Sequence, residues 1–171
     1  MKKHRGMRSL DIVVLLKIAV QHQQKWLIKN LANELSISQS EVSESLNRPR
    51  IASLLASDKK RLMKNNLLDF LVHGLRYVFP VEPGMVQRGI VTAHSAYPLH
   101  DKISSEDVYI WPWARSNARG HSIEPLHPNV PDACIRDPEL HALLALTDAI
   151  RIGRIREKKI AIDELRRLLK E

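Results

Sequence analysis

The chain has 171 residues, with 27 Lys+Arg against 19 Asp+Glu, a formal net charge of +8 and one cysteine, Cys134. A single cysteine excludes an intrachain disulfide framework and suits a reducing cytoplasm; no stretch approaches the ~20 apolar residues of a membrane span. The length fits one domain, or a small domain with an extension. The charge is unevenly placed: residues 1–79 carry 14 Lys+Arg against 6 Asp+Glu, whereas residues 80–171 carry 13 of each.

The chain opens on a basic cluster, Lys2, Lys3, His4, Arg5 and Arg8, before the apolar run 12–20. That order resembles a secretory signal. However, Asp11 and Lys17 interrupt the apolar stretch and no small-residue cleavage site follows. The expectation is instead a first helix over 9–22, capped by Ser9. Leu10, Val13, Val14, Leu16, Ile18 and Val20 lie nearly all round it, as in a central packed helix. The cluster before it is either an arm that touches phosphates or a start with no role.

Helices are predicted over 27–35 and 38–48, the second ended by Pro49. Residues 52–56 and 61–63 read as two short strands around a turn, with Lys59, Lys60 and Arg61 at or near the tip. The alternative is unbroken helix from 50 to 78, against which Asn65 as a helix cap, beside Asn66, argues. A helix over 66–78 would bury Leu67, Leu68, Leu71, Val72 and Leu75, with Gly74 marking a tight contact or the beginning of its end.

From 79 to 137 prolines recur at 80, 83, 98, 112, 125, 128 and 131, a density that forbids long helices. Val81, Ile90, Tyr109, Trp111, Trp113 and Leu126 are too many large apolar residues for a solvated tail. The expectation is extended chain and short strands laid over a surface, with exposed turns at 104–107 and 116–120. Residues 138–171 return to helix, Pro138 suiting a first turn. One stripe is Leu140, Leu143, Leu144 and Ile150; another is Ile155, Ile162, Leu165, Leu168 and Leu169, with Gly153 between them. Ile155, Ile162 and Leu169 repeat every seven residues, too briefly for a coiled coil. The predicted fold is mainly α, in three parts: 1–79, 80–137 and a helical segment 138–171 for dimerisation or partner binding.

Residues 28–47 carry the most information. Leu31, Ala32, Leu35, Ile37, Val42 and Leu46 are apolar where two short helices would cross, with Ser36 and Ile37 in the turn. Ser38 and Glu41 have capping-box spacing. The outward positions of the second helix are then Gln39, Ser40, Ser43, Glu44 and Asn47, all able to hydrogen-bond base edges. Leu31-Ala32, Leu35-Ser36-Ile37-Ser38, Val42-Ser43 and Leu46 resemble the helix-turn-helix of prokaryotic transcription regulators, and the surroundings of 1–79 resemble a winged helix of the MarR type. Ser36 stands where such motifs usually carry glycine. The resemblance implies a winged helix-turn-helix with a short β wing at Lys59, Lys60 and Arg61, and a dimeric, cytoplasmic, sequence-specific regulator acting as a repressor on double-stranded DNA.

Chemistry sharpens the expectation. Gln39 could pair bidentately with adenine and Glu44 could accept from a cytosine amino group. Gln39 and Ser40 stand at the entering end, just after the capping Ser38, and Arg48 and Arg50 at the far end suit phosphates. The basic excess in the same half is what counterion release requires. The local run Arg151, Arg154, Arg156, Lys158 and Lys159 reads as a solvated face paired with Glu157, Asp163 and Glu164, or as further phosphate contacts. Tyr109, Trp111, Trp113, Ile155, Ile162, Leu165 and Leu169 are the candidate partner-binding residues. Paired tryptophans between prolines serve as anchors against a helix or a partner chain.

His121, His127, Cys134 and His141 are spaced too widely for a usual zinc site, and no phosphate loop or hydrolase motif occurs. No enzyme, metal or cofactor is expected. The layout of a DNA-reading head and a partner-wrapping tail is also that of antitoxins that repress their own operon. A different class is a winged-helix module that binds protein and not DNA.

Overall fold

In the computed structural model, which describes residues 6–22 and 25–170, the apolar run forms helix α1 (Ser9–Ala19). Every residue from 11 to 18 in it is buried, including two charges. Each charge is met by partners from elsewhere in the chain. Asp11 receives both Nε and Nη2 of Arg48, at 2.8 and 2.7 Å. Lys17 Nζ meets Asp137 at 2.5 Å and Glu34 at 2.6 Å. Ser9 is not the cap: the helix begins at it, and Asp11 accepts the Arg8 amide at 2.8 Å.

α2 (Ile28–Leu35) ends at Ser36, whose φ of 54° lies in the left-handed region. α3 (Gln39–Ile51) follows after the turn. Pro49 does not end α3, contrary to expectation; it lies inside the final turn. Arg48 and Pro49 are buried, and the ion pair to α1 holds this turn in place despite the missing amide. The hairpin that follows is slighter than predicted. It is one antiparallel bridge, Leu55 to Leu62, closed by Ala56 N to Arg61 O and Met63 N to Leu54 O, each 2.9 Å. Burial of Leu54 and Leu55 against the helices anchors it in place of a longer ladder.

α4 (Lys64–His73) and α5 (Leu75–Val78) meet at Gly74, where an added Cβ would lie 2.9 Å from the Phe70 ring. Asn65 does not cap α4, which starts one residue earlier; instead the Asn66 amide donates to Ser53 O at 2.7 Å, tying α4 to the hairpin.

The proline-rich part forms a small closed sheet of β1 (Val86–Val91), β2 (Tyr109–Pro112) and β3 (Arg119–Ser122), with a 3-10 turn at Ala93–Ser95 and a short helix, α6 (Val130–Arg136). β1 pairs antiparallel with both others, and β2 runs parallel to β3. α7 (Pro138–Ile152) begins with Asp137 accepting the Leu140 amide at 3.0 Å. Gly153 separates it from α8 (Ile155–Lys170). From Leu140 to Arg151 every residue of α7 is buried except the half-buried His141, so α7 forms the second axis of the core beside α1.

The fold is thus mainly helical with one small sheet. One apolar cluster takes in Leu31 and Leu67, Trp111 and Leu126, and Leu144 and Leu165, so the three parts expected from the sequence share a core. Asp148 on α7 ties them together. It accepts from Thr92 Oγ1 at 2.8 Å, Trp111 Nε1 at 2.6 Å and Arg151 Nη1 at 2.8 Å. Arg151 Nε in turn donates to Phe79 O at 2.9 Å.

His141 packs its ring against Trp111, 5.2 Å between centroids, and Nε2 lies 2.8 Å from Val91 O. Burial holds its pKa below the ordinary value of 6.5. The unfolded chain therefore takes up the proton first, and the stability His141 contributes is full above that value and lost as pH falls below it. The urea midpoint is expected to drop between pH 7.5 and pH 5.5, and His141→Gln to remove part of that drop. His127, which burial shifts the same way, contributes to the drop with the same sign. An identical pH dependence in the variant would refute the assignment.

Candidate nucleic-acid interface

The turn between α2 and α3 is held from both sides. Ser38 Oγ accepts the Glu41 amide at 3.1 Å, and the Glu41 carboxylate accepts the Ser38 amide at 2.9 Å, the reciprocal box predicted from the sequence. The Ser38 amide and hydroxyl hold the Glu41 carboxyl below the usual range. On the other side the Asn129 amide donates to Leu35 O at 3.3 Å and Ser36 O at 2.8 Å. Ser38→Ala is expected to cost about 1 kcal/mol, read as a lower thermal midpoint. An unchanged midpoint would show that the cap contributes nothing.

Ser38, Gln39, Ser40 and Ser43 are exposed, while Val42, Ser45 and Leu46 turn inward. Glu44 and Asn47 are half-buried. Asn47 accepts from Arg50 Nη2 at 3.3 Å, and Glu44 lies 3.9 Å from Arg48. Arg48 is the correction within this set: it is buried and its guanidinium is committed to Asp11, so it does not reach a phosphate from this position.

In the hairpin, Asp58 accepts the Lys60 amide at 2.9 Å and the Arg61 amide at 3.3 Å. Lys59 sits at φ 57°. Lys60 and Arg61 are exposed and Lys59 is half-buried. Lys60, Arg61 and Lys64 border a recess of about 520 Å³ that is also lined by Ile18, Ala19, Trp26 and Leu62. Trp26 and Lys64 were not singled out in the sequence, where neither carries a motif. Of the basic N-terminal cluster, Lys2, Lys3, His4 and Arg5 lie outside the described residues.

The partner-binding set divides. Trp111 is 1% exposed and is an anchor against α7 of its own chain. Leu165 and Leu169 are buried too, because α8 lays its apolar stripe on α4 and α7. These three are therefore corrected to core residues. Tyr109 is half-buried, with its ring edge-on to His94 at 4.9 Å. Trp113 is half-buried and donates to Asp132 at 3.1 Å. Ile162 is half-buried, and Ile155 is 85% exposed.

In the C-terminal basic run, Arg151 belongs to the core network. Glu157 accepts the Arg154 backbone amide at 2.9 Å. Asp163 and Glu164 pair with Arg166 and Arg167, about two helical turns beyond the run expected to meet them. Burial pushes the Cys134 thiol far up, which leaves no thiolate for chemistry. His121 and His141 bond to different backbone carbonyls. Among the described residues no three His, Cys, Asp or Glu gather to hold a metal ion, and no helix is long and apolar enough to cross a membrane.

No protein-family model matches this chain, and neither a curated protein nor a solved structure matches it.

Proposed function

We propose that this chain is a transcriptional regulator that binds double-stranded DNA through α3, with the hairpin at Leu55 and Leu62 as its wing. The observation that carries the reading is the exposed polar entry end of α3: Ser38, Gln39, Ser40 and Ser43 project from a turn fixed by the capping box and by Asn129. Short polar side chains on a rigid helix suit base edges in a major groove. Lys60 and Arg61 supply cations for the flanking backbone. One such helix spans only a few base pairs, so a two-fold pair spaced about 34 Å apart would read a palindromic site. Occupying a promoter in that way represses it.

The test is site selection from random duplexes, then anisotropy titration at several salt concentrations. Gln39→Ala with Ser40→Ala is expected to reduce discrimination among sequences by roughly tenfold or more. Lys60→Ala should lower the salt slope by about 0.9. Selection that yields no preferred sequence, with a flat salt response, rejects the proposal. A second reading, a protein-binding module, is favoured by Ile155 and Tyr77, 85% and 75% exposed, which line a recess together with Lys158, Lys159 and Ile162. Such a module would show the flat salt response.

A further inference from the structure

Arg88 on β1 and Arg119 on β3 are direct partners in the antiparallel register. Both are exposed. Directly opposed residues project from the same face with Cβ atoms about 4.5–5.5 Å apart, where like charges repel. Among the described residues, neither arginine has a carboxylate in ion-pair reach. The repulsion is thus built in and left uncompensated within the described chain.

A third guanidinium stands at the same end of the sheet. The Trp113 amide donates to Arg88 O at 3.1 Å, which brings the chain after β2 alongside Arg88. Arg115 stacks on the Trp113 ring, 4.7 Å from its centroid. Trp113 Nε1 and Arg115 Nη2 both donate to Asp132 Oδ1 at 3.1 Å. Asp132 lies in the first turn of α6, about one helical turn beyond Asn129, whose amide holds the α2–α3 turn. α6 therefore connects the arginine patch to the entry end of α3.

The geometry points to a second phosphate-binding patch, Arg88, Arg119 and Arg115, that receives the backbone of the duplex whose groove α3 enters. The inference rests on the DNA reading of α3 and extends it to a surface outside the helix-turn-helix. A phosphate between Arg88 and Arg119 would relieve their repulsion, and planar guanidinium forks match phosphate oxygens in pairs. Trp113 fixes Arg115 in place by stacking.

The test is Arg88→Glu in the full chain, which places a carboxylate opposite Arg119 and so occupies both positions. Affinity for a random-sequence duplex should fall at every salt concentration, and the salt slope should drop by about 2. The thermal midpoint should hold or rise, because an opposed like pair becomes an opposite pair. Arg166→Glu, the same charge change on α8, should move the slope less. An unchanged slope in Arg88→Glu, or an equal loss in Arg166→Glu, overturns this inference, while a preferred sequence in site selection with the wild-type chain still upholds the reading of α3. A wild-type chain with no salt-dependent binding overturns both.

Discussion

Arg48→Ala is expected to destabilise the fold by about 3–5 kcal/mol, the cost of leaving a buried charge without its partner. Asp11 is 0% exposed and would lose both bonds from the guanidinium. Ser45 Oγ would lose a bond as well, at 3.2 Å. Urea unfolding monitored by circular dichroism reads the loss. The paired replacement Asp11→Leu with Arg48→Met should recover most of it, since an apolar pair needs no desolvation. If Arg48→Ala instead kept full stability and lost only affinity for DNA, the phosphate role expected from the sequence would be restored and the structural role withdrawn.

Asp148→Ala is expected to cost a comparable amount, about 3–5 kcal/mol. Three donors, Thr92, Trp111 and Arg151, converge on this carboxylate. Burial raises its pKa, opposed by Arg151 and by the Thr92 and Trp111 bonds. Removing it strands Thr92 Oγ1 and Trp111 Nε1 in the core and leaves the buried Arg151 charge with only the carbonyls of Phe79 and Glu124. Asp148→Asn should lose less, because one acceptor oxygen remains. Near-ultraviolet circular dichroism should change in Asp148→Ala, where Trp111 loses its fixed partner. A variant that unfolds at the wild-type urea concentration would show that the network contributes no net stability.

Both predictions concern residues whose roles the sequence leaves open. Arg48 lies in the last turns of a polar helix in a basic half of the chain, and a phosphate contact is the natural reading. Only its bond to Asp11, 37 positions away in sequence, decides otherwise. Trp111, Leu165 and Leu169 raise the same difficulty. A large apolar residue can be buried by its own chain or by a partner, and local sequence does not distinguish the two.

The features legible in residue order are local. α3 begins after Ser38 because Glu41 stands three residues on and completes the capping box. The chain turns at Ser36, between two amphipathic segments. The opening apolar run is a helix buried nearly all round, as its pattern of large aliphatic residues requires. Such features depend on neighbours within one or two turns. That Pro49 remains in α3, that Arg48 faces inward and that Arg88 meets Arg119 emerged only from the packed molecule. Each depends on an element distant along the chain, and pairing across such separations is set by how the whole core packs.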